Sequence, residues 1–125
     1  MKTTNYEISK QLKEAGFEAS YIYAWYSDSE GLPWIQEIHA KPTAINKYGK
    51  EVKLTFTAPA YDLETILDAL PNTTEIIISS LTGERIFYLD SNIRGNEVSI
   101  AIEENESLAD TAGKMWLELK KKNLL

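Results

Sequence analysis

His39 is the only histidine in the chain and the first residue to consider for chemistry. An imidazole acts as a general base when a nucleophile lies beside it, and it binds metals together with other imidazoles or thiolates. The sequence has no cysteine and no second histidine for such a group. His39 falls in a predicted strand between Glu37 and Lys41, where an ordinary strand histidine is the favoured interpretation.

Paired carboxylates are the second candidate, because acid–base pairs and divalent-cation sites are built from them. The groups in the sequence are Asp28/Glu30, Asp62/Glu64 and Glu103/Glu104/Glu106. All of them flank predicted turns or helix starts, where acids cap the first turn and complement the helix dipole. The sequence also lacks the phosphate-binding, dinucleotide-binding, nucleophile-elbow and His-Glu-x-x-His motifs. We therefore expect no catalytic residue, no cofactor and no metal site.

The most unusual local feature is a cluster of aromatic residues, because six of the chain's thirteen lie within positions 17–34. Tyrosine and tryptophan are favoured at protein interfaces, where they bury a large area and keep a polar tip. The residues predicted to contact a protein partner are Tyr21, Tyr23, Trp25, Tyr26 and Trp34. The alternative is that they form the core and its cover, since the predicted strand 20–27 is apolar on both faces.

The net charge of −6 is unevenly distributed along the chain. Residues 62–110 hold eleven acids against two arginines, whereas residues 1–61 are balanced. A protein that binds nucleic-acid phosphates is expected to carry a basic stripe, and the only lysine run here lies at a helix end. Direct nucleic-acid binding is therefore disfavoured. An acidic mimic of nucleic acid, which would inhibit a host DNA- or RNA-binding protein, is kept as an alternative.

The totals are those of one ordinary domain, residues 1–125. Apolar residues make up 43% of the chain, yet no apolar run approaches the roughly 20 residues that span a bilayer. The first residues lack the apolar core of a secretory signal, and there is no cysteine for a disulfide. We expect a cytoplasmic protein that has no membrane partner.

Three helices are predicted from their caps and apolar periodicity. The first begins in a capping box of Thr4 and Glu7 and ends at Gly16, and the second spans 62–70. The third is capped by Ser107, with Asp110 as the acid of a second capping box, and stops at a left-handed Asn123. Its predicted apolar face is Leu108, Ala109, Ala112, Met115, Trp116 and Leu119.

Strands are predicted at 20–27, 34–41, 52–57, 75–81, 85–90 and 98–102. Val52, Leu54 and Phe56 should share one face of the third strand, which Pro59 should end. Ile76, Ile77 and Ile78 are typical of a central strand. Short turns between consecutive strands favour antiparallel pairing. We therefore expect an α+β fold: a single, mostly antiparallel sheet of about five to six strands in two meanders, with the three helices packed mainly on one face.

The helical segments carry a resemblance to a known family. The segments 6–17 (YEISKQLKEAGF), 61–71 (YDLETILDALP) and 107–122 (SLADTAGKMWLELKKK) resemble a family of small uncharacterised phage and prophage open reading frames. The resemblance covers about a third of the chain and implies a bacterial or phage origin. It carries over no catalytic residue.

The functional hypothesis that follows is a non-enzymatic phage or prophage accessory protein that acts by protein–protein contact. The partner is not specified, and a homodimer through the aromatic surface or a free sheet edge is one form of it. The acidic nucleic-acid mimic and a small enzyme that uses the carboxylate pairs with His39 are the alternatives.

Overall fold

The computed structural model describes residues 3–81, 84–103 and 105–125, and in them the chain forms helices and strands in alternating blocks. The helices are α1 (Tyr6–Glu14), α2 (Leu63–Ala69) and α3 (Leu108–Lys121). The strands are β1 (Tyr23–Ser27), β2 (Pro33–Glu37), β3 (Thr43–Ile45), β4 (Glu51–Lys53), β5 (Thr55–Ala60), β6 (Thr74–Leu81), β7 (Glu84–Ile93) and β8 (Asn96–Ala101). No helix within the described ranges is long and apolar enough to cross a membrane.

The strands form three small sheets, so the expectation of a single sheet is wrong, although the α+β class and the antiparallel pairing are confirmed. The N-terminal sheet has the order β2-β1-β5, the C-terminal sheet has the order β6-β7-β8, and β3 pairs with β4 alone. Every pairing is antiparallel. Along the chain, α2 separates the strands of the C-terminal sheet from the five strands that form the other two sheets.

The strand predicted at 52–57 is divided at Leu54, which is buried. Before it, β4 pairs with β3, and after it, β5 pairs with β1. Phe56 is exposed, although it lies directly opposite the buried Tyr26 in the β1–β5 pairing. Pro59 does not end the strand but lies inside β5, opposite Ala24. Proline is tolerated there because β5 is an edge strand, whose outer N–H groups have no ladder partner.

The first helix begins one residue later than its predicted capping box. Asn5 is the N-cap, and its Oδ1 accepts a hydrogen bond from the Ile8 N–H at 2.8 Å. Thr4 is fully buried instead, with its hydroxyl 2.6 Å from that of Ser9. The same hydroxyl accepts a hydrogen bond from the Tyr61 N–H at 3.2 Å. Thr4 therefore joins the start of α1 to the end of β5 rather than capping the helix.

The start of α3 confirms the predicted cap, since the Ser107 hydroxyl accepts a hydrogen bond from the Asp110 N–H at 3.1 Å. The Asp110 carboxylate does not complete the capping box. It accepts a hydrogen bond from the Asn5 N–H at 2.7 Å and so links the starts of α1 and α3. Asn123 has the predicted left-handed conformation, with a φ of 57°. Leu108 is exposed and does not belong to the buried face.

The core surrounds α3, which packs against α1, α2 and the strands β7 and β8. Its fully buried large apolar side chains come from all of these helices and from β7: Leu12, Ile66, Leu89, Met115 and Leu119. Phe17, which follows α1, lies edge-on to Tyr61 at 4.7 Å and to Trp116 at 4.9 Å between ring centroids. The last helix therefore covers a sheet, as predicted, and also the other two helices.

The C-terminal sheet is an extended hairpin with a third strand. The β7 strand runs to Ile93, three residues beyond the end of the strand predicted at 85–90. Arg94 and Gly95 form the turn with φ values of 50° and 80°, which fits a tight two-residue connection. The turn predicted at residues 82 and 83 lies outside the described residues. The helix α3 contacts β7 and β8 of this sheet.

Candidate interaction surface

The predicted contact residues of β1, the central strand of the N-terminal sheet, lie on opposite faces because successive side chains of a strand alternate between the two faces. Tyr26 is buried, and its ring lies edge-on to that of Phe56 at 5.9 Å. Trp25, on the other face, donates its indole N–H to the Thr4 carbonyl at 2.9 Å and packs edge-on against Tyr6. Both side chains therefore already have partners within the fold.

The remaining tyrosines are half-buried. Tyr21 packs against Tyr61 at 6.1 Å and lies 6.4 Å from Phe56. Tyr23 lines a small depression of about 190 Å³ together with Tyr21 and Asp62. Trp34 lies opposite Tyr26 in the β1–β2 pairing. The structure therefore divides the five predicted contact residues between the core and two faces and does not bring them together in one surface.

Trp34 lines a groove with a volume of about 600 Å³ between two similar loops. In the first loop, Asp28 Oδ1 accepts hydrogen bonds from the N–H groups of Glu30 and Leu32. In the second, Asn46 Oδ1 accepts them from Tyr48 and Lys50 in the same way. A left-handed glycine, Gly31 in one and Gly49 in the other, closes each loop. Both walls are therefore fixed by their own side chains.

The orientation of Trp34 is set by Asp28, whose Oδ2 accepts the indole N–H at 3.0 Å. This hydrogen bond is the main reason why the pKa of Asp28 lies below its ordinary value of 3.8, and backbone donors from Leu32, Glu30 and Gly31 add to it. The carboxylate is thereby engaged within its own loop, as expected for a loop-forming acid rather than an acid–base catalyst.

The Asp28–Trp34 hydrogen bond should respond to pH only in strong acid. Because the folded pKa is lowered, the stabilisation is present above the unfolded value of 3.8 and is lost as the pH falls through the folded pKa. We expect the NMR resonance of the Trp34 indole proton to be constant from neutral pH to about pH 4 and to shift below it. Asp28→Asn is the control that should abolish this acid transition. A midpoint above the ordinary aspartate value would contradict the hydrogen bond.

His39 does not lie in a strand but in the exposed turn that follows β2. Two of the carboxylates proposed as its partners, Asp62 and Glu106, serve other contacts. Asp62 caps α2 by accepting the Thr65 N–H at 2.8 Å, and Glu106 forms an ion pair with Lys114. Within residues 3–81, 84–103 and 105–125, no three histidine, aspartate or glutamate side chains are grouped so that they could hold a metal ion.

The acids of segment 62–110 are placed on several different elements. Asp62 lies at the start of α2, Asp90 accepts a hydrogen bond from Ser99 on the C-terminal sheet, and Asp110 is buried at the start of α3. Glu106, already paired with Lys114, also accepts the Thr111 hydroxyl. A nucleic-acid mimic requires a row of free carboxylates, and these four are engaged within the fold.

The strand β6 is predicted to be central, but it is an edge strand of its sheet. Its three consecutive isoleucines are exposed: Ile76 by 53%, Ile77 by 38% and Ile78 by 59%. The prediction failed because an apolar run is compatible both with a strand that pairs on both edges and with an edge strand that pairs on only one. No other described strand exposes three successive large apolar residues.

The exposed apolar surface continues from β6 onto β7. Ile78 lies directly opposite Phe87, which is also exposed, and Ile76 lies opposite the buried Leu89. Directly opposed residues share a face of the sheet, so an apolar stripe runs from the core beneath α3 towards the outer part of the hairpin. We call Ile76, Ile77, Ile78 and Phe87 the β6 surface.

Comparison of the chain with models of protein families, with curated proteins and with solved structures gives no match.

Proposed function

We propose that the protein acts without catalysis, by binding a second polypeptide chain along the free edge of β6. The observation that carries the proposal is the exposure of three consecutive isoleucines on an eight-residue edge strand. An edge strand presents a row of unpaired N–H and C=O groups, to which an extended segment can add as a further strand. Main-chain hydrogen bonds would hold the added strand, and the isoleucines would supply apolar contacts on both faces.

The contrast with β2 and β5, the two edge strands of the N-terminal sheet, supports this proposal. Edge strands are normally protected by shortness, proline, charge or a bulge. The strand β2 has five residues and begins with Pro33, and β5 contains Pro59 and a bulge beside Trp25 and Tyr26 in its pairing with β1. The strand β6 pairs with β7 over eight successive positions without a bulge, and Glu75 is its only charged residue. Of the strands β2, β5 and β6, only β6 has an edge without proline or a bulge.

The proposed role is that of a phage or prophage accessory protein, which the resemblance of the three helical segments supports. An accessory protein of this kind acts by occupying a partner, and a strand-accepting edge is sufficient for that. The Trp34 groove is a secondary surface within the same proposal, because Trp34 and Tyr48 offer aromatic area to a chain that crosses the two loops.

The test is a comparison of the polypeptides bound by the wild-type protein and by Ile77→Lys. A lysine on an edge strand opposes strand addition, because the added chain must bury or displace its charge. We expect the bound polypeptide to be reduced at least about tenfold, which corresponds to about 1.4 kcal/mol of binding free energy. Quantitative mass spectrometry after affinity capture from a bacterial lysate measures this change.

Ile45→Lys is the matched control for the capture experiment. Ile45 is more exposed than Ile77 but lies on β3, opposite Glu51, where a lysine meets a favourable charge. The control variant should retain the polypeptides bound by the wild-type protein. Equal retention by the wild-type protein and both variants would contradict the role of the β6 surface.

A further inference from the structure

We infer that the polypeptide on the β6 edge is a second copy of this chain, paired antiparallel about Ile77. The inference rests on the proposed strand addition at β6 and names its occupant. When a two-fold axis perpendicular to the sheet relates two copies of the chain, their β6 edge strands can pair antiparallel. The two C-terminal sheets would then form one continuous six-stranded sheet.

The sequence of β6 is self-complementary about its middle isoleucine. With Ile77 opposite Ile77 of the second copy, Ile76 lies opposite Ile78 in both directions. Three apolar cross-strand pairs form, and such pairs are the unit of stabilisation in a sheet. Glu75, the only charged residue of the strand, lies opposite Ser79 of the second copy, so no like charges face each other.

The neighbouring registers are poorer. In a pair with this two-fold symmetry, one residue of β6 lies opposite the same residue of the second copy. Each possible register can therefore be named by that central residue. Centring on Ile76 places the Glu75 carboxylate opposite Ile77, where it loses hydration without gaining a partner. Centring on Ile78 places Ile76 and Ile77 opposite Ser80 and Ser79, so only one apolar pair remains. The charge and apolar pattern therefore selects the register about Ile77.

The size of the contact sets the strength of the dimer. A strand of eight residues is about 26 Å long, and pairing it with its copy buries less surface than the roughly 1,200–2,000 Å² of a standard stable interface. We therefore expect a reversible dimer whose dissociation constant is in the micromolar range or weaker.

A charge-swap experiment tests the occupant and the register together. Ile77→Lys alone places two ammonium groups opposite each other, and Ile77→Glu alone places two carboxylates there, so each variant should stay monomeric. An equimolar mixture of the two variants places the introduced ammonium group opposite the introduced carboxylate and should recover the dimer, which also shows that both variants are folded. Sedimentation velocity from about 1 μM to about 1 mM gives the populations.

The control is Ile45→Lys, which lies on β3 opposite Glu51 and should associate as the wild-type protein does. A wild-type protein that is monomeric over the whole range would overturn the inference, and so would an Ile77→Lys variant that dimerises normally. A mixture that stays monomeric would overturn the register. If the wild-type protein is monomeric but Ile77→Lys still loses a captured polypeptide, the second copy is wrong and strand addition at β6 stands.

Cross-linking provides an independent measure of the register, because the chain has no cysteine of its own. In Ile77→Cys the two Cβ atoms should lie about 4.5–5.5 Å apart across the axis, within reach of an intermolecular disulfide. In Glu75→Cys they should be separated by about four residues, or about 13 Å along the strand. We expect the first variant to form the oxidised dimer at least about tenfold faster. Equal rates would contradict the register.

Discussion

Leu119→Ala is expected to lower the free energy of unfolding by about 2–5 kcal/mol, the largest effect of any change considered for this protein. Leu119 is fully buried near the end of α3, in the cluster that joins α1, α2 and the C-terminal sheet. Removing three side-chain carbons there loses apolar burial and leaves a cavity that neighbours on several elements cannot all fill. Urea denaturation followed by circular dichroism measures the change.

The matched control for Leu119→Ala is the same substitution at the other end of the helix. Leu108 is exposed at the first turn of α3, so Leu108→Ala should change stability by only about 1 kcal/mol or less. Both variants have the same change in helix propensity, and the difference between them isolates burial. Equal effects of the two substitutions would show that α3 does not have the buried face described here.

Gly113→Ala is expected to destabilise the protein by about 1–3 kcal/mol, although alanine is the better helix former by about 1 kcal/mol. A Cβ at this position would lie 2.7 Å from Cγ2 of Ile8 on α1, closer than two carbons can approach. Ile8 cannot easily turn away, because a β-branched side chain in a helix has one strongly preferred rotamer. The close approach of α1 and α3 therefore requires glycine.

A double-mutant cycle tests the cause of this destabilisation. Ile8→Ala removes Cγ2, so Gly113→Ala in that background should cost less, or should become stabilising as the helix propensity of alanine takes effect. The other contacts of the new Cβ, Leu12 at 3.5 Å and Thr4 at 3.6 Å, are ordinary van der Waals distances. The same cost in both backgrounds would exclude the clash with Ile8 as the reason.

The helices were predictable because their signals are local. The cap at Ser107, the left-handed stop at Asn123 and the second helix with its following Pro71 all depend on residues within one or two turns. The cap of α1 was placed wrongly for a reason that is not local. Thr4 is an acceptable N-cap by type, but its hydroxyl bonds to Ser9 and Tyr61, and Tyr61 is far away in the sequence.

The positions of the strands along the chain were predictable, but the pairing of each strand with its neighbours was not. An alternating pattern such as that of Val52 and Phe56 indicates a strand without showing that the chain changes sheets at Leu54 between them. The same limit applies to Ile76, Ile77 and Ile78, whose apolar run indicates a strand equally well at a centre or an edge. Which side of a strand remains unpaired is decided by the rest of the fold, so the candidate site was missed.

The aromatic residues illustrate a related limit. Composition indicated a strand within 20–27 that is apolar on both faces, and the structure covers both faces of β1. Tyr26 faces one small core, and Trp25 faces the start of α1. Interface preference and core packing use the same residue types, so composition alone could not separate the two. Trp34 is half-buried and lines its groove between the two loops.

The central claim, that β6 accepts a polypeptide strand, is tested most directly by amide hydrogen exchange at residues 74–81. The amides that point away from β7 should exchange rapidly in the dilute monomer. They should become protected when a second strand binds, either at high protein concentration or with a captured partner, while those of β5 are unchanged. Unchanged exchange along β6 when the protein is shown to be associated would contradict the claim.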